Sequence, residues 1–214
     1  MGQPIFQFVL VGIIGLAMGM EIVQATPCYL DEGTFSAYVA KTEGYSSTSR
    51  EDLARLLWQE GHLDEAIKIY QEIWSTQPDT WDVNFNLGFV YHLTGKLPEA
   101  DRYLSRAVQI DPSRPDGFFY LGLTKLKLGD INAAAADVQR AVIIRPDADH
   151  YHFALGVIFR LQGNLPGALS EFHEELDLSP DNTSARQQAE EVEAILARKP
   201  NGTPPAGVAS PSAH

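Results

Sequence analysis

Residues 81–114 read WDVNFNLGFVYHLTGKLPEADRYLSRAVQIDPSR and contain two helix-length apolar patterns, with a glycine between them and a proline near the end. The same skeleton occurs before and after this stretch. Three residue types return in steps of 34 residues: Pro78, Pro112, Pro146 and Pro180; Gly61, Gly95, Gly129 and Gly163; Ala66, Ala100, Ala134 and Ala168. A step of this length is typical of a helix–turn–helix repeat. The chain is therefore predicted to be one array of repeats and not a set of independent domains.

The charge balance restricts the class of partner. The 214-residue chain has 16 Lys and Arg residues against 28 Asp and Glu residues, which gives a formal net charge of −12. Nucleic-acid binding requires a basic surface that neutralises phosphates, so it is not expected here. The acidity favours solubility and disfavours acidic ligands.

The N-terminal segment is predicted to direct export. Residues 5–20 are apolar except for Gln7. Val23-Gln24-Ala25 then places small residues at the two positions that a signal peptidase recognises. The positively charged residues that usually precede such a run are missing, because no Lys or Arg lies before it. Two interpretations remain open. Residues 1–25 are a signal peptide cleaved near Ala25, or residues 5–20 stay attached as a membrane anchor, although a spanning helix needs about 20 apolar residues. In either case we expect the array outside the cytoplasm, periplasmic or secreted, with membrane contact only through this segment.

Helix signals place the repeats between residues 47 and 182. The first unit is expected to have one helix beginning after the capping residues Thr48 and Ser49, and a second helix over 65–76. Later helices are expected near 82–94, 98–110, 116–128, 131–144, 150–162 and 166–178. A helix over 183–198 is polar on most of its surface, as expected of a terminal cap. Residues 26–46 are expected to be a linker, and the Pro- and Gly-rich residues 199–214 a disordered tail.

Small and large residues follow a fixed order within each unit. The clearest example is the second unit, with Leu87-Gly88, Tyr91, Ala100, Leu104, Ala107 and Pro112. This order resembles the tetratricopeptide repeat family, and the resemblance extends over residues 47–182. It implies an all-α fold: an α-solenoid of four repeats (47–80, 81–114, 115–148 and 149–182) followed by the capping helix 183–198. The first unit matches poorly, Lys125 replaces an expected aromatic residue, and Glu175 replaces an expected alanine.

The resemblance also implies that the first helix of each repeat lines a concave groove. The side chains predicted to form the groove are Trp58, Phe85, Phe89, His92, Phe119, Leu123, Leu126, Phe153, Val157 and Arg160. Those predicted at its rim are Glu51, Arg55, Asp82 and Asp116. The spacing within each helix, i, i+4 and i+7, supports a shared face. Such a groove is predicted to bind an apolar or amphipathic protein segment. The alternative is that residues 29–46, the capping helix or a second copy of the chain fills it.

The sequence predicts a non-enzymatic adaptor without cofactor or metal. It contains no pattern typical of a nucleophile with its base, a phosphate-binding loop or a metal site. His150 and His152 are two residues apart, so they point to different sides of a helix. His92 is expected to adjust partner affinity near neutral pH. The lone Cys28 can join only another chain, so a self-associating scaffold or homo-oligomer stays open, as does a recruiting subunit of an enzyme complex.

Overall fold

The structure is a computed structural model that describes residues 47–198, without the side chains of residues 47–49. Within this range the chain forms nine helices and no strands. They are α1 Ser47–Gln59, α2 Leu63–Thr76, α3 Trp81–Leu93, α4 Leu97–Ile110, α5 Pro115–Leu128, α6 Ile131–Ile144, α7 Tyr151–Leu161, α8 Leu165–Leu178 and α9 Thr183–Arg198. The predicted signal or anchor segment, the linker 26–46 and the tail 199–214 lie outside the described residues.

The helices pack in sequence order as an α-solenoid. Each of the pairs α1–α2, α3–α4, α5–α6 and α7–α8 forms one unit, and the second helix of each unit packs on the first helix of the next. The first helices α3 and α5 also touch each other directly. Helix α9 packs on α8 and ends the stack. The all-α repeat fold predicted from the 34-residue step is confirmed.

The turn inside each unit depends on glycine. Gly129 closes α5 in the left-handed conformation, with φ +89°, and its backbone N–H donates to the carbonyl of Leu126 at 3.0 Å. The other three turn glycines have positive φ as well. Glycine adopts this conformation without the steric penalty that a Cβ atom introduces. This requirement explains why glycine returns at the same position in every unit.

A second set of glycines lies where the two helices of a unit touch. A Cβ atom on Gly88 would lie 2.7 Å from Leu104 Cγ, and one on Gly122 would lie 2.6 Å from Val138 Cγ2. In the fourth unit, a Cβ atom on Gly156 would lie 2.6 Å from Phe172 Cε1. A mid-helix glycine costs about 1 kcal/mol relative to alanine. The close helix contact offsets this cost.

Glu175 departs from the repeat pattern because it joins three elements. Its side chain is 0% exposed, and its carboxylate accepts hydrogen bonds from the backbone N–H of Phe153 at 3.2 Å and from Asn182 Nδ2 at 2.8 Å. The Asn182 side chain in turn accepts from the backbone N–H of Ala185, at the start of α9. Buried carboxylates require such partners. Glu175 therefore connects the first turn of α7 and α8 to the capping helix, a contact that alanine cannot make.

We predict that Gly88→Leu destabilises the whole array, because the new side chain overlaps Leu104 at the contact between α3 and α4. Overpacking of this kind typically lowers the free energy of unfolding by about 1–3 kcal/mol, and we expect a loss of that size here. Chemical unfolding followed by circular dichroism measures the change. The control is Ala136→Leu, which adds a leucine at an exposed position of α6. Equal stability of Gly88→Leu and the wild type would contradict the helix register described above.

Candidate functional site

A continuous row of half-buried aromatic rings crosses the first helices α1, α3 and α5. We call it the aromatic strip, and it consists of Trp58, Phe85, Phe89, Phe119 and Tyr120. The ring of Phe89 meets Trp58 edge-on at 5.2 Å between centroids and Tyr120 edge-on at 4.7 Å. Phe85 stacks on Phe89 at 6.1 Å, and Phe119 meets Tyr120 at 5.4 Å. The strip therefore joins three successive repeats.

Two buried aromatic residues hold the strip in place from beneath. Trp81 stacks on Phe85 at 4.5 Å, and Tyr151 stacks on Phe119 at 4.4 Å. The guanidinium of Arg114 lies 3.3 Å from the Trp81 ring centroid, a cation–π contact. These contacts fix the orientation of Phe85 and Phe119, so the exposed part of each ring is presented in one orientation. A rigid apolar surface loses little entropy when it binds a partner.

Tyr120 belongs to the strip although the spacing within α5 did not predict it there. It follows Phe119 directly, so the predicted i, i+4, i+7 face excluded it. Its ring nevertheless contacts Phe85, Phe89, Phe119 and His92. The available signal was the repeat comparison: one step of 34 residues leads from Asn86 to Tyr120 and then to Ala154. Only the third unit has a large aromatic side chain at this position.

His92 was predicted to lie on the groove surface, and that placement is wrong. Its side chain is only 6% exposed, and its Nδ1 atom lies 2.8 Å from the Thr124 hydroxyl. That hydroxyl donates its own hydrogen to the carbonyl of Tyr120, so Nδ1 of His92 must donate. Burial, together with the positive charge of Lys127, lowers the pKa of His92 to about 4. The residue is neutral at pH 7 and cannot adjust affinity there.

Two of the predicted rim carboxylates are occupied by arginine side chains. Asp82 pairs with Arg114 at 3.0 Å, and Asp116 pairs with Arg145 at 2.8 Å. Asp116 also accepts a hydrogen bond from the Tyr151 hydroxyl at 2.6 Å. Arg114 and Arg145 both follow the second helix of their own repeat, so each pair holds the first helix of a repeat to the end of that repeat. The hydrogen bond from Tyr151, which lies in the fourth repeat, connects Asp116 to the neighbouring repeat.

The other two rim residues lie on α1. Arg55 is exposed and pairs with Asp52, one turn away. Glu51 is half-buried, and burial is the main cause that raises its pKa, followed by the nearby charges of Asp82 and Asp52. Among the described residues, no basic side chain forms an ion pair with Glu51.

The predicted groove residues of the fourth repeat are half-buried and are in contact with the capping helix. Phe153 and Val157 pack against a cluster that includes Ala189 and Val192 of α9. Arg160 forms an ion pair with Glu191 of the same helix at 3.6 Å. At this end of the array the capping helix therefore contacts the predicted groove, as one of the alternatives in the sequence analysis expected.

The leucines of α5 continue the strip toward the core. Leu123 and Leu126 are half-buried. Leu126 and Phe119 both pack against the buried cluster that α6 and α7 share around Val138 and Leu155. Part of the α5 surface is therefore used for packing against α6 and α7.

The described residues contain no cluster of three or more side chains suited to hold a metal ion. His152 Nδ1 lies 2.7 Å from the carboxylate of Glu171, and its Nε2 lies 2.9 Å from the carbonyl oxygen of Pro146. His150 is exposed and lies 3.4 Å from Glu175. No helix within residues 47–198 combines the length and apolarity needed to cross a bilayer.

Family models of the tetratricopeptide repeat match this chain over residues 57–118 and 121–183. A comparison with characterised protein sequences gave no match. Among solved structures, the MamA protein aligns with a TM-score of 0.66 at 20% identity, covering 71% of this chain and 82% of that one.

Two further structures are similar in fold. YrrB, whose structure is described as a TPR protein with an unusual peptide-binding site, gives a TM-score of 0.65 at 21% identity and covers 77% of this chain and 85% of that one. The first TPR domain of Spaghetti (RPAP3), solved with the HSP90 peptide SRMEEVD, gives 0.52 at 22% identity and covers 54% and 94%.

We predict that His92 makes stability depend on pH. Its folded pKa of about 4 lies below the ordinary 6.5, so the unfolded chain gains a proton first as the pH falls. Unfolding free energy is therefore lost between about pH 6.5 and about pH 4, by up to about 3 kcal/mol. Urea unfolding of the wild type and His92→Gln at several pH values measures this loss. His173→Gln, at an exposed site, is the control. The same pH dependence in wild type and His92→Gln would refute the assignment.

Proposed function

Because the chain belongs to the tetratricopeptide repeat family, we propose that it is a non-enzymatic adaptor that binds a segment of another protein on the aromatic strip. The segment is an amphipathic helix or an extended apolar stretch. The observation that carries the proposal is the strip itself: five half-buried aromatic rings across three repeats, each in contact with at least one other ring of the strip. Contiguous exposed apolar surface of this kind is typical of protein-binding sites.

Two structural neighbours support binding of a peptide. The RPAP3 domain was solved with an HSP90 peptide, and YrrB is described as having a peptide-binding site. The acidic sequence of that HSP90 peptide does not suit this chain. Glu51 would repel a carboxylate, and Tyr120 provides an aromatic ring at the centre of the strip. We therefore propose a peptide-binding adaptor that prefers an apolar segment to an acidic one.

We further propose that the adaptor works outside the cytoplasm, exported or tethered to a membrane through its N-terminal segment. The apolar run 5–20 and the small residues Val23 and Ala25 support this. N-terminal sequencing of the protein from its native source tests it, with a mature chain beginning at Thr26 as the expected result. In the Ala25→Arg variant signal-peptidase cleavage after residue 25 is blocked, so we expect its chain to keep Met1 as the first residue. Wild-type chain with an intact N-terminus in the soluble cytoplasmic fraction would contradict export.

We predict that Phe89→Asp weakens partner capture without unfolding the array. A carboxylate at the centre of the strip would be desolvated against an apolar partner, and loss of a central aromatic residue typically weakens binding by about 2 kcal/mol or more, roughly thirtyfold. The measurement is affinity purification from the native source followed by mass spectrometry. Circular dichroism should show unchanged helix content.

Ile143→Asp is the matched control, because Ile143 is 64% exposed and lies on α6, away from the strip. It should capture the same proteins as the wild type. If Phe89→Asp also captures all of them, the strip is not the binding surface and the proposed function fails.

A further inference from the structure

The carboxylates along the aromatic strip differ in whether an arginine pairs with them. Asp82, Asp116 and Asp52 each form an ion pair with an arginine, in order Arg114, Arg145 and Arg55. Glu51 forms no ion pair within residues 47–198. The α1 end of the strip therefore has one carboxylate that forms no ion pair with a described side chain, although the charge of Arg55, one turn away, partly compensates it.

The surroundings of Glu51 favour an incoming cation. The side chain is half-buried. Its burial and the charges of Asp82 and Asp52 raise its pKa and outweigh the smaller, opposite effect of Arg55. These same causes disfavour its ionised form in the free protein. A positive charge brought beside it would remove that penalty, and an ion pair that is partly shielded from water is stronger than a fully exposed one.

The position of Glu51 also relates it to the aromatic rings. Residues 51 and 58 are seven positions apart on α1, so the carboxylate and Trp58 lie on the same face of the helix, two turns apart. Trp58 in turn contacts Phe89. A lysine or arginine has an apolar stem that covers aromatic surface while its charged end reaches a carboxylate. The guanidinium or ammonium gains further from an aromatic face nearby.

We propose that the partner segment carries a lysine or arginine that pairs with Glu51, next to the apolar side chains that cover Phe85, Phe89 and Tyr120. The inference rests on the proposed function and adds the chemistry of the partner: an apolar segment with a basic residue at the end that meets α1. The formal net charge of −12 acts in the same direction, because it attracts basic partners over distance.

Selection from a random peptide library displayed on phage tests this with the full chain. Peptides that bind the wild type but not Phe89→Asp are strip-dependent. We expect these peptides to combine apolar residues with a lysine or arginine at one fixed position. In the tightest peptide, replacing that basic residue by norleucine should weaken binding to the wild type about two- to fivefold, the size of one partly exposed ion pair.

The same replacement should have no effect on binding to Glu51→Gln, because the coupling between the two charges is then already lost. Glu51→Lys should prefer the peptide in which the basic residue is replaced by glutamate. Glu72→Gln, which removes an exposed carboxylate on α2, is the matched control and should keep the full effect.

The possible outcomes separate the two proposals. Strip-dependent peptides without a preferred basic residue, or an equal norleucine effect in wild type and Glu51→Gln, overturn the pairing with Glu51 and leave the adaptor function standing. Absence of any strip-dependent peptide overturns both. Light scattering that shows a dimer which Phe89→Asp dissociates would assign the strip to a second copy of the chain, and it would also overturn both.

Discussion

The close approach of the two helices in each unit is the constraint on which the rest of the structure depends. At Gly88, Gly122 and Gly156 there is no room for a Cβ atom, because a large side chain of the second helix occupies that space. This contact fixes how the helices of a unit pack, and the 34-residue step repeats it. The first helices are therefore presented in the same orientation along the stack, which brings their outward residues into one row.

The aromatic strip follows from this arrangement because α3 is apolar on almost every side. Leu87, Val90 and Tyr91 are buried in the packing of the array, while Phe85 and Phe89 remain half-buried on the strip. A helix of this kind is either enclosed by the protein or keeps one apolar side for a partner. In the fourth repeat, α9 packs against the cluster that Phe153 and Val157 contact, whereas the rings of the first three repeats contact one another along the strip. We therefore propose that the partner binds at the N-terminal part of the array.

The elements and their register could be predicted from the sequence because the signals are local and repeated. The recurring Pro112-type residues end the second helices, the Gly95-type residues form the turns, and the predicted helices agree with the observed ones to within a few residues. The membership of Trp58, Phe85, Phe89 and Phe119 in a helical face also follows from spacing. None of these predictions depends on contacts between repeats.

The features that sequence reasoning missed all arise between repeats. His92 has the spacing of a surface residue, but Thr124 of the next repeat receives its hydrogen bond and Tyr120 covers its ring. Asp116 has the position of a rim residue, but the hydroxyl of Tyr151 in the next repeat donates a hydrogen bond to it. Spacing along one helix cannot indicate which side chain of a neighbouring repeat lies opposite, and that neighbour decides whether a residue is exposed.

Photo-cross-linking in the cells of origin tests the central claim most directly, namely that the first three repeats present a partner surface and that α9 closes the fourth. The photoreactive residue p-benzoylphenylalanine replaces Phe89, Phe153 or Ile143 in turn. The account predicts a cross-link to another protein from position 89, a cross-link within the chain to α9 from position 153, and no partner adduct from position 143. Adducts with another protein from positions 143 or 153, together with none from position 89, would contradict it.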